Sequence, residues 1–82
     1  MRAVKQSDRA GGIAREMVDS SVIHAMGYDD DHALLEIEFV SGEIYRYHFV
    51  PRRVWAELRN APSKGAYFTN VIREKFPTTR AT

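Results

Sequence analysis

The side chains of this sequence best placed to do chemistry are cations and tyrosines. Tyr45-Arg46-Tyr47 sets a cation between two rings, in a segment whose alternation reads as a strand. Alternate aromatics on a strand stack on nucleobases, and an arginine between them meets phosphate. Ser63-Lys64-Gly65 opens a stretch of helical periodicity. Free amides at a helix start, with a lysine beside them, hold a phosphate or carboxylate, and glycine lets a ligand approach the backbone. Arg52, Arg53 and Arg59 lie off the apolar stripe of the preceding helix and Arg73 falls in the following one, which makes them candidates for phosphate contacts.

Each feature also has a plain structural role. Tyr45 and Tyr47 complete a core face while Arg46 pairs across the sheet with Glu36. Ser63 is a simple helix cap. The arginines form a solvated helix face. Lys64 and Arg73 are nine residues apart, on opposite faces of an ideal helix, and need not converge. Exposure separates the readings. Exposed tyrosines beside clustered arginines favour RNA; buried tyrosines, scattered arginines and an apolar patch favour a protein partner.

Other chemistries lack their residues. With no cysteine there is no disulfide, thiolate zinc site, iron–sulfur cluster or cysteine nucleophile. His24, His32 and His48 match no zinc spacing. Asp29-Asp30-Asp31 lacks the glycine and terminal glutamate of a calcium loop. Ser20-Ser21 near a histidine is too common a pattern to indicate a triad. No nucleotide loop of the Gly-x-x-x-x-Gly-Lys-Ser/Thr type occurs. The expectation is a binding domain without catalysis, cofactor or metal.

The 82 residues suit one domain. A hydrophobic fraction of 44% and a charged fraction of 28% are those of a globular chain. The N-terminus has no apolar run of a signal peptide, and no stretch nears the ~20 apolar residues of a membrane span. Together with the missing cysteines this leads to an expected cytoplasmic location without membrane contact. The net charge of +1 is unevenly spread. Residues 1–45 hold four basic and nine acidic residues, and residues 46–82 hold eight basic and two acidic ones. A basic surface is compatible with that distribution.

The positioning elements follow from periodicity. Residues 1–12 are polar, end in Gly11-Gly12 and read as a flexible arm that extends to residue 19. Ile13, Met17 and Val18 give it the spacing of a short helical turn. Ser20 to Tyr28 reads as a strand, and the three aspartates as a solvated turn. In the second strand, Leu34 to Val40, Leu35, Ile37 and Phe39 alternate with Glu36 and Glu38, which gives an apolar face and a wet one. A third strand, Ile44 to Val50, carries Tyr45, Tyr47 and Phe49 on one side. A three-residue loop, Val40-Ser41-Gly42 with Gly42 in the left-handed region, opposes Ile37 to Tyr45, Leu35 to Tyr47 and Glu36 to Arg46. All six large apolar side chains then share a face; a loop one residue shorter would split them. Pro51 suits a helix start, and Val54, Trp55 and Leu58 are its stripe. Ser63 caps a second helix with the stripe Tyr67, Phe68, Val71, Ile72 and Phe76, closed by Pro77. Residues 78–82 read as a polar tail. The expected fold is α+β: a three-stranded antiparallel β-meander followed by two helices that cover one sheet face.

From residue 20 to 77 the chain resembles the KTSC domain family. The resemblance rests on Gly27-Tyr28-Asp29, Leu35-x-Ile-x-Phe39 before a Ser-Gly turn, Tyr45-Arg46-Tyr47, Val50-Pro51, Ser63-Lys64-Gly65-x-Tyr67-Phe68, Ile72-Arg73 and Phe76-Pro77, in this order and spacing. It implies a small bacterial or phage-type domain, found alone or as a tail on some lysyl-tRNA synthetases, and that tail context suggests RNA binding. The expected function is RNA binding through Tyr45, Arg46, Tyr47, Arg52, Arg53, Arg59, Lys64, Gly65 and Arg73. The alternative is a protein-interaction module, such as a homodimer joined at a sheet edge.

Overall fold

The computed structural model describes residues 13–82. The flexible arm expected over residues 1–12 lies outside them. Five antiparallel strands form one sheet in chain order: β1 (Glu16–Met17), β2 (Ile23–Asp29), β3 (Leu34–Phe39), β4 (Ile44–Tyr47) and β5 (Thr78–Arg80). Two helical segments stand between β4 and β5. The first is α1 (Arg52–Asn60); the second is α2 (Lys64–Tyr67), which continues directly into a π-helical turn (Phe68–Ile72).

The central hairpin has the expected register. Leu35 opposes Tyr47, Glu36 opposes Arg46 and Ile37 opposes Tyr45. The loop holds three residues, and Gly42 has φ +99°, which glycine adopts at little cost. Its amide donates to Phe39 O at 2.8 Å. Leu35 and Ile37 are fully buried and Tyr47 nearly so. They meet Val54 and Leu58 of α1 and Phe68 and Ile72 of the π turn in one core. Ser63 caps α2 as expected, its hydroxyl accepting from Ala66 N at 3.2 Å.

The sheet has two strands more than expected, one at each edge. β1 pairs Glu16 with Met26 and Met17 with Ala25. The stretch expected as a helical turn is therefore extended. Ile13 is buried in front of it while Met17 points to solvent, a split that an i, i+4 helical pair would not give. At the other edge the expected polar tail pairs Thr78, Thr79 and Arg80 with Tyr47, Arg46 and Tyr45. Both strands are exposed and only two or three residues long, too short to display a period of two.

Two face assignments also change. Glu36 was expected on the wet face but is only 2% exposed. The segment before β1 crosses that face beside Gly27, Arg15 donates to Glu36 Oε2, and Arg46 Nε donates to Oε1 at 2.8 Å. Phe49 was expected in the core and is 73% exposed, with φ +62°. The strand stops at Tyr47, and the chain turns so that Val50 becomes the buried residue. Val50 N donates to Ala33 O at 2.9 Å, and Tyr28 Oη donates to Val50 O at 2.6 Å.

Candidate ligand groove

The basic residues of the second half do not gather on one surface. Arg52 grips Asp30 with two hydrogen bonds of 2.9 and 2.7 Å. Arg59 grips Glu16 with two of 3.1 Å and lies over the Trp55 ring at 5.3 Å. Arg53 lies 3.6 Å from Glu57 one turn on. Arg46 shares the buried Glu36 with Arg15. The acidic first half of the chain thus folds against the basic second half, and the charge asymmetry visible along the sequence is largely cancelled in space. The α1 pairs are exposed and therefore individually weak, screened by solvent and salt. A polyanion can displace such partners, but no bare cationic stripe stands on α1.

Lys64 and Gly65 line a cleft together with Ser20, Ser63 and Asn70. Lys64 Nζ donates to the Ala61 carbonyl at 3.1 Å. A Cβ on Gly65 would reach only ordinary contact with Val22, 3.5 Å away, so the cleft does not require glycine there. Arg73 belongs to a different groove, and the two cations stay apart.

That groove contains the expected aromatic residues. It has a volume of about 580 Å³ and opens between the β3–β4 hairpin and the π turn. Tyr45, Tyr47, Phe39 and Phe68 line it. The rings meet edge to face: Phe39 with Tyr45 at 5.9 Å, Phe39 with Phe68 at 5.4 Å and Tyr47 with Phe68 at 5.3 Å. Tyr45 is half-buried, with the Arg80 guanidinium 5.8 Å from its centroid. Tyr47 is 4% exposed, and its hydroxyl has no hydrogen-bond partner among the described residues. Burial pushes that phenol up to about 12, with Tyr45 adding to the rise and the Arg73 charge opposing it. The π turn delivers the cation: Arg73 N donates to Phe68 O at 2.9 Å, an i→i+5 bond. Such turns insert one extra residue and often occur at functional sites. Among the expected site cations, Arg73 is the one arginine without a carboxylate partner in the described residues.

The exposure criterion therefore divides. Tyr47 is buried and the α1 arginines are paired, while half-buried Tyr45 and Arg73, which has no carboxylate partner among the described residues, line one open groove. Sequence reading placed Phe39 and Phe68 in the core and did not foresee that both also line a groove. It also missed Ser21, Thr69 and the Arg80 contact. These residues come from four separated stretches of the chain, and no linear spacing joins them. Among the described residues, no group of three His, Asp or Glu side chains could hold a metal, and no helix is long and apolar enough to cross a membrane.

Comparison with known proteins agrees with this architecture. The KTSC domain model matches residues 19–76. A lysine–tRNA ligase of Nostoc punctiforme is 45% identical over 58 residues, which are 71% of this chain and 10% of that protein. This chain thus corresponds to about a tenth of the length of that ligase. A protein of Stutzerimonas stutzeri, named only as uncharacterized, is 41% identical over 59 residues, covering 72% of this chain and 83% of its own. The crystal structure of a KTSC domain protein from Yersinia pestis superposes with a TM-score of 0.83 at 38% identity, over 87% of this chain and all of that one. With more than two thirds of its length matched by the family model and the same fold seen in a solved member, the chain belongs to the KTSC domain family.

Proposed function

We propose that this domain binds single-stranded RNA in the groove between the β3–β4 hairpin and the π turn and carries out no reaction itself. The observation that supports this reading is the groove's make-up: aromatic walls and an arginine, Arg73, with no carboxylate partner among the described residues. Rings of this kind contribute about 1–3 kcal/mol per stacked base, and Arg73 supplies the phosphate contact. Arg52, Arg53, Arg59 and Lys64 then act as a peripheral field, exchanging their carboxylates for phosphates along a longer strand. Several relatives are lysine–tRNA ligases, and a domain attached to such an enzyme meets RNA as a matter of course. The absence of cysteine fits a cytoplasmic setting.

Fluorescence anisotropy with labelled single-stranded RNA, duplex RNA and tRNA at two salt concentrations tests the reading. Saturable binding that weakens with salt is expected, single strands ahead of duplex. Arg73→Ala is expected to weaken it more than Arg52→Ala does. No binding at tens of micromolar protein in low salt overturns the proposal. The second reading, a protein-interaction module, draws on the exposed ring of Phe49. Under it, Phe49→Ser abolishes partner capture and leaves RNA titrations flat.

A further inference from the structure

The groove holds two polar groups that the fold itself does not use. One is the Tyr47 hydroxyl, on a side chain 4% exposed and without a hydrogen-bond partner among the described residues. Phenylalanine would make the same edge-to-face contact with Phe68, so packing alone does not call for the hydroxyl. The other is the Arg73 guanidinium, which no carboxylate in the described residues neutralises. Everywhere else on this surface the arginines described above have found an acid.

Aromatic and apolar side chains line the groove with them, together with Ser21 and Thr69. Glu43 also borders the groove, but the Arg80 guanidinium lies 3.6 Å from its carboxylate and offsets its repulsion of an anion. A volume of about 580 Å³ sits in the range of roughly 300–1,000 Å³ typical of small-ligand pockets. The ligand that fits has a flat body for the rings, a hydrogen-bonding edge for a phenol and a negative group for an arginine.

The geometry points to a one-nucleotide pocket: the base lies against the half-buried rings of Phe39 and Tyr45, its polar edge meets the Tyr47 hydroxyl and its phosphate meets Arg73. The π turn sets this arrangement, because its extra residue places Phe68, Thr69 and Arg73 on one groove. The pocket deepens the RNA reading and rests on it for the source of the nucleotide, a strand or a free nucleotide. Its chemistry is the same for both.

The experiment is a titration of ¹⁵N-labelled protein, followed by amide chemical shifts. The probes are the four ribonucleoside monophosphates, the matching nucleosides, inorganic phosphate and a short oligoribonucleotide. Wild type, Tyr47→Phe and Arg73→Gln are compared. Nucleotides are expected to move the amides of Tyr45, Thr69 and Arg73, with nucleosides about tenfold weaker. Tyr47→Phe is expected to weaken nucleotide binding about fivefold without lowering the melting temperature. Arg73→Gln is expected to remove the advantage of nucleotide over nucleoside. Unperturbed groove amides at millimolar nucleotide, shifts confined to α1, or affinities unchanged in both variants overturn the pocket. RNA binding that persists unchanged in both variants overturns the pocket and leaves the RNA reading standing. Nucleotide binding in the groove with no binding of the oligomer overturns the RNA reading and leaves the pocket standing.

Discussion

Tyr47 illustrates how far single residues can be read from sequence. Its place in the core followed from alternation with Tyr45 and from the three-residue loop, both visible in the chain. What its hydroxyl meets was not visible, because that depends on side chains from the π turn. The buried phenol has a consequence at high pH. Its folded-state value is raised to about 12 from an ordinary 10, chiefly by burial. Between pH 10 and 12 the unfolded chain loses this proton and the folded chain keeps it, so stability falls as pH rises through that window. Thermal melts from pH 9 to 12 are expected to show the decline in wild type and a shallower one in Tyr47→Phe. Equal slopes would mean that the phenol is solvated in the folded state. Glu36 is the opposite case. Its alternation with Leu35 and Ile37 correctly put it on the second sheet face, but burial of that face depends on Arg15, some twenty residues earlier.

At the scale of elements, the long segments were legible and the short ones were not. β3, β4 and α1 show their periods over four or more residues, and their ends carry recognisable stops at Gly42, Pro51 and Pro62. β1 and β5 form only because the sheet beside them offers free backbone groups. The π turn also leaves no mark, since Tyr67, Phe68, Val71 and Ile72 suit an ordinary helix equally well. The segment leading into β1 does leave one signature, a glycine inside a strand. Gly27 is buried where the Ala14 carbonyl crosses the sheet; a Cβ there would overlap that oxygen and stand 3.0 Å from Ile13 Cγ2. Gly27→Ala is expected to cost about 1–3 kcal/mol in urea unfolding, by lifting the crossing segment off the sheet. A shortened chain that starts at residue 19 is expected to tolerate the same substitution with a much smaller loss relative to its own parent. Equal losses in both would place the clash elsewhere.

For the whole molecule, the order of the central elements and the covering of one face were readable, because an apolar sheet face requires a cover and two amphipathic helices were at hand. The placement of charge was not. The ion pairs Asp30–Arg52 and Glu16–Arg59 join residues 22 and 43 positions apart, and only the closed fold reveals them. The same closed fold decides how the sheet ends. Among the described residues, one margin is a strand of two residues and the other a strand of three that includes Arg80. Neither gives an incoming chain more than one or two ladder bonds, and a positive charge occupies the longer one. Short, charged margins are how β-proteins avoid becoming templates for aggregation. The protein is therefore expected to stay dispersed at concentrations where flat-edged sheets begin to associate, and to show no thioflavin-positive material after prolonged agitation.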